Sequence, residues 1–115
     1  MNILVQLRDE SGRPLRDDLG VQIPAMTEGF EFARALPEHD DLSFPYLRLV
    51  DPYGNTVFSR YQMVVVIPEL ERLAASSSSR QVERVLEMAR LCQATIHSYL
   101  VFVGTEPLFP NWQGG

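Results

Sequence analysis

The sequence predicts an α+β domain: a mostly antiparallel sheet of four or five strands, covered on one face by a C-terminal helical hairpin, with a last strand after the long helix. Three observations predict it. From Arg80 to about His97, Val82, Val85, Leu86, Ala89, Cys92, Gln93 and Ile96 fall in one stripe at 100° per residue. Directly after it, Tyr99-Leu100-Val101-Phe102-Val103 is aromatic and β-branched, which suits a pleated surface. Upstream, Asp51-Pro52-Tyr53-Gly54-Asn55 is a turn between β-like runs, with proline pre-setting φ and glycine supplying positive φ.

Taken in order, Asn2 to Leu7 reads as the first strand, and Asp9 to Pro14 as a turn cluster. Leu19 to Ile23 reads as a second strand, closed by Pro24. Thr27 to Leu36 reads as a short helix capped by Thr27, although Phe30 and Phe32 also alternate as in a strand. Pro37 to Asp41 is an exposed loop by composition. Tyr46 to Val50 reads as a strand with Arg48 at its centre, and Thr56-Val57-Phe58 starts another beyond the turn. Met63 to Ile67 is apolar without alternation, fitting either a doubly buried strand or the start of a helix. Pro68 suits the first turn of a helix over Glu69 to Ala75, with Leu70, Leu73 and Ala74 facing inward. Ser76 to Ser79 joins that helix to the long one, and Ser78 with Gln81 has capping-box spacing. Leu91 lies opposite the long helix's stripe. Residues 1–104 thus form one domain, and residues 105–115 form a Pro/aromatic tail.

The 115 residues suffice for one core without staples, and the single cysteine rules out an internal disulfide. The N-terminus lacks the basic segment and apolar run of a signal peptide, and no stretch reaches membrane-spanning length, so a cytoplasmic location is expected. All ten basic residues are arginine, which removes Schiff-base and P-loop lysines from consideration. The net charge is −5, and residues 1–60 carry ten acids against six arginines. Nucleic-acid binding, which rests largely on neutralising phosphates, is disfavoured.

No catalytic constellation stands out. Cys92 sits on the buried stripe, where a thiol acts as a small hydrophobe. His97 lies about 140° around the helix from it. His39-Asp40-Asp41 has ligand atoms but no metal-site spacing, so neither metal nor cofactor is expected.

The segment Val50-Asp51-Pro52-Tyr53-Gly54-Asn55-Thr56-Val57-Phe58-Ser59-Arg60 resembles a stretch of small uncharacterised bacterial proteins. In these, as here, a leucine-rich helix and a second helix near Arg90-Leu91-Cys92 follow. The resemblance covers residues 46–103 and implies a compact bacterial domain, with no catalytic residues attached to it.

The function expected from this character is a non-catalytic protein–protein interaction domain, of the kind an immunity or antitoxin-like protein uses to mask a basic bacterial effector. Its contact set is Asp40, Asp41, Asp51, Tyr53, Leu91, Phe109 and Trp112. A small-molecule-binding protein or enzyme is the alternative, with a pocket near His39, Asp51 and Tyr53 and with His97 as a further member. A homodimer joined through the tail or the edge of the last strand is a third expectation.

Overall fold

In the computed structural model, which describes residues 2–105, the fold is α+β with three strands and three α-helices. Strand β1 is Ile3–Asp9, helix α1 Phe30–Ala35, strand β2 Asn55–Ser59, helix α2 Met63–Ser77, helix α3 Arg80–Ala94 and strand β3 Ser98–Gly104. The sheet is antiparallel in the order β1-β3-β2, so the last strand is its centre. Three strands, not four or five, make up this sheet. Because β3 is hydrogen-bonded on both sides, it has no free edge through which a dimer could pair.

Each missing strand has a local cause. Over Arg13–Met26 the chain makes only single bridges, to β1 through Arg8 with Pro14 and Val5 with Met26, and within itself through Arg16 with Gln22. Pro14 and Pro24 have no N–H to donate and interrupt any ladder there. Leu47–Leu49 forms a 3₁₀ turn instead of a strand. Its leading N–H groups are taken by the Glu69 carboxylate, at 3.0 Å from Leu47 N and 3.2 Å from Tyr46 N.

Met63 to Ile67 opens α2, which continues through Pro68. Proline removes the hydrogen bond to the carbonyl of Val64, four residues back. Val64 is 66% exposed, so that carbonyl lies on the solvent side of the helix. At the hairpin, Ser78 ends α2 in the left-handed region (φ 54°), and Ser79 caps α3 by accepting from Gln81 N and Val82 N. The cap is thus one residue later than the spacing suggests. The same Ser-x-x-Gln pattern forms a true capping box elsewhere, with Ser59 and Gln62 at the turn entering α2. Helix α1 begins after Gly29 with no side-chain cap, so Thr27 does not serve as one.

The helix α3 stripe is buried at Val82, Val85, Leu86, Ala89 and Cys92. It ends sooner than its periodicity implies. The helix stops at Ala94, His97 turns the chain with φ 58°, and Ile96 is left 66% exposed. Gln93 is exposed as well.

All three helices belong to the core formed with one face of the sheet, through Ile3, Val5 and Leu7 of β1, Phe58 of β2, and Leu100 and Phe102 of β3. An aromatic row crosses this core. Phe32 stacks on Phe102 at 5.7 Å, Phe58 meets Phe102 edge-on at 5.8 Å, and Tyr46 stacks on Phe58 at 5.8 Å. The row ties α1, the 3₁₀ turn and two strands into one layer. Among the described residues no helix is long and apolar enough to cross a membrane.

Candidate functional site

The Asp51–Asn55 turn closes one end of the sheet. The Asp51 carboxylate accepts from Tyr53 N at 2.8 Å, and Thr56 Oγ1 accepts from Asp51 N at 3.0 Å. The turn then grips the end of the central strand. Gly104 N donates to the Gly54 carbonyl at 2.8 Å, and a Cβ on Gly104 would lie 2.3–2.5 Å from backbone atoms of Asp51 and Pro52. On the other side Thr105 N donates to the Asn2 carbonyl at 3.2 Å. The turn therefore has a structural task that needs glycine opposite it.

Beside this clamp lies a cleft of about 210 Å³. Its floor includes Ile3, Leu36, Val50 and Pro52, and its polar wall is Arg34, Glu38 and His39. The loop carrying Asp40 and Asp41 and the turn carrying Asp51 and Tyr53 thus flank one concave feature. Asp40 and Asp51 are exposed and Tyr53 is half exposed. Asp41 is partly enclosed, its Oδ1 accepting from the Ser43 hydroxyl at 2.5 Å and Ser43 N at 3.1 Å. His39 and Arg48 brace the loop: Arg48 Nη1 donates to the His39 carbonyl at 3.0 Å, and His39 Nδ1 sits 3.3 Å from the Arg48 carbonyl. Arg48 Nε is buried with no partner among the described residues.

Other expected residues fall elsewhere. Leu91 is 40% exposed on α3, in the helical layer. Phe109 and Trp112 lie outside the described residues. His97 precedes the start of β3, while the cleft adjoins its end, six residues and roughly 20 Å away. It borders a separate hollow with Ser59, Arg60, Tyr61 and Tyr99. His39, Asp51, Tyr53 and His97 therefore do not meet in one pocket.

Cys92 is fully buried, and burial raises its thiol pKa above the ordinary value, opposed by the Ser98 hydroxyl 3.5 Å from Sγ. Such a thiol is a poor nucleophile at neutral pH. Among the described residues, no three His, Cys, Asp or Glu side chains gather into a possible metal site. The polar groups the cleft offers are one guanidinium, one carboxylate and one imidazole.

Two side chains matter more than their sequence context suggests. Glu69 is 1% exposed and holds the 3₁₀ turn against α2. Its spacing from Val66 and Leu73, three back and four on, puts it on the inner face, and that was the available signal. Gln81 accepts from Phe32 N at 2.9 Å and donates to the Glu28 carbonyl, anchoring α1 to α3. Nothing in local sequence marks that contact.

No protein-family description matches the chain, and neither curated proteins nor solved structures give a match.

Proposed function

We propose that this chain is a non-catalytic, cytoplasmic protein-binding domain that receives a basic partner at the cleft end of the sheet, in the manner of an immunity-like protein covering an effector. One observation carries the reading: Glu38 and His39, just before Asp40 and Asp41, and Pro52, between Asp51 and Tyr53, line a single cleft, so the two acidic segments border it although Asp40, Asp41, Asp51 and Tyr53 stand outside its lining. Within the lining Glu38 balances Arg34, and on the bordering segments Asp40 and Asp51 are exposed while the Arg48 guanidinium is tied to the His39 carbonyl.

Physical chemistry supports recognition at this rim. The Asp41 and Asp51 carboxylates are held by their own turns, so binding a cation freezes little further freedom. Complementary charge speeds encounter and rejects like-charged partners more than it adds raw affinity. Tyr53, half exposed beside Asp51, adds an aromatic contact of the kind enriched at interfaces. Phe109 and Trp112 are not needed for this reading.

The test is capture of a partner from the native host lysate by the tagged chain and by an Asp40→Asn/Asp51→Asn variant. A partner retained by the native chain, released as ionic strength rises and lost from the folded variant agrees with the reading. Retention equal in both chains, or no partner at low salt, overturns it.

A further inference from the structure

The two edges of the sheet are finished differently. Gly104 N donates to the Gly54 carbonyl, and β2 continues from there in register with β3. Antiparallel alternation then points the backbone groups of Thr56 and Phe58 at β3 and those of Asn55, Val57 and Ser59 outward. On β1 the same alternation turns Val5, Leu7 and Asp9 outward, and the chain over Arg13–Met26 meets them. Met26 exchanges both bonds with Val5, Leu15 N donates to the Leu7 carbonyl, and Asp9 N donates to the Arg13 carbonyl. Along the outer edge of β2, by contrast, only Ser59 N has a partner among the described residues, the Gln62 side chain at 2.8 Å. Asn55 is exposed there, and Val57 is 53% exposed. Nor does β2 carry the usual guards of an edge. Its Asn-Thr-Val-Phe-Ser has no charge and no proline, and its register with β3 runs without a bulge.

We propose that this edge pairs with the same edge of a second copy, antiparallel and centred on Val57, so that the two three-stranded sheets join into one. Self-complementarity identifies the occupant. In this register Val57 exchanges both backbone bonds with its own counterpart, and Asn55 N donates to the Ser59 carbonyl of the second copy. Phe58 comes beside Thr56 and Asn55 beside Ser59, so no charge faces a like charge along the ladder.

The flanks match as well. Counting outward from Val57, Arg60 falls opposite Gly54 and Tyr61 opposite Tyr53. The exposed Tyr61 and the half-exposed Tyr53 sit at opposite ends of one strand, so a two-fold pair brings one of each to both of its ends. Charge agrees, since the end with Arg60 meets the end with Asp51. Five residues make a short ladder, so the dimer is a weak one that fills as concentration rises. This pairing does not rest on the cleft reading, and its test needs only the chain itself.

The purified full chain is followed from micromolar to millimolar concentration by sedimentation equilibrium and by amide spectra. The expected result is a reversible monomer–dimer equilibrium. The Val57 and Asn55 amides gain protection as the dimer fills, while the Thr56 amide, directed at β3, does not change. Because Val57 faces itself, Val57→Lys and Val57→Asp should each weaken association several-fold, and an equimolar mixture of the two variants should recover it. The amide measurement on the unmodified chain stands whether or not the variants fold. A monomer at every concentration overturns the proposal. So does a dimer that leaves the Val57 amide unchanged, or a mixture of folded variants no tighter than either alone. Protection at Val57 that does not depend on concentration also overturns it, by assigning the edge to another part of the same chain.

Discussion

The two halves of this domain satisfy their backbones by different means. From Asn55 to Gly104 the chain is nearly all strand and helix, whose backbone hydrogen bonds take up its N–H and C=O groups. From Glu10 to Gly54 it holds one six-residue helix and one 3₁₀ turn, and side chains do much of that work. Asp9 accepts from Ser11 N and Arg13 N, Asp17 from Leu19 N and Val21 N, Asp41 from Ser43 N and Asp51 from Tyr53 N. Guanidinium groups take up carbonyls in return: Arg16 donates to Gly20, Arg48 to His39, Arg72 to Ser43 and Arg84 to Pro24.

This contrast changes the meaning of the acidic bias. Four of the ten acids in residues 1–60, Asp41 and Asp51 among them, also hold turns, so part of the acidic bias has a structural task. It also says where damage should be global and where local. In the regular half, Phe102→Ala removes the ring that both Phe32 and Phe58 contact. It should cost about 4 kcal/mol, read by chemical denaturation with circular dichroism. At the junction of the halves, Gly104→Ala drives a methyl into the Asp51–Pro52 backbone, and a loss of about 3 kcal/mol is expected. In the irregular half, Asp17→Ala should cost about 1 kcal/mol and speed amide exchange at Leu19 and Val21 alone. A loss from Asp17→Ala equal to that from Phe102→Ala would erase the contrast.

The smallest effects concern pH, with opposite signs at Asp9, the last residue of β1, and at Cys92 in α3. The Ser11 hydroxyl lowers the Asp9 pKa, against a weaker opposing effect of desolvation. The folded value lies below the unfolded one, so its contribution is present above the unfolded value and lost as pH falls through the folded one. Asp9→Asn should flatten the acid limb of the stability profile. Burial raises the Cys92 pKa, so its contribution is whole below the unfolded thiol value and lost as pH climbs through the folded one. Cys92→Ala should flatten the alkaline limb while lowering stability at neutral pH. Melting temperatures across the pH range check both.

The same division explains what the sequence made legible. The α3 stripe, the final strand and the place of the Asp51–Gly54 turn were readable because periodicity and turn chemistry are local signals, although Gly54 does not take the positive φ expected of it there. Tyr46 to Val50 was not. Its apolar run suits a strand, but a carboxylate twenty-two residues on captures its N–H groups. Leu19 to Ile23 likewise has strand-like residues without a strand's ladder: it makes the single bridge of Gln22 with Arg16 before Pro24 ends it. At the candidate site, the alternative reading of the sequence placed a pocket near His39, Asp51 and Tyr53; His39 does line the cleft, while Asp40, Asp41, Asp51 and Tyr53 stand outside its lining. The cleft depends on α1 and Ile3, which meet those loops only in the fold.

The claim beneath all of this is that side-chain acceptors stand in for ladders in the irregular half, and Glu69 is its strongest case. Residue-resolved amide exchange on Glu69→Leu, similar in bulk but unable to accept, tests it most directly. Protection at Tyr46 and Leu47 should collapse while β1 and β3 stay protected, with a stability loss of about 2–4 kcal/mol from two unsatisfied N–H groups. Glu69→Gln, which keeps one acceptor oxygen, should fall between. Unchanged protection at Tyr46 and Leu47 in the leucine variant would contradict the account.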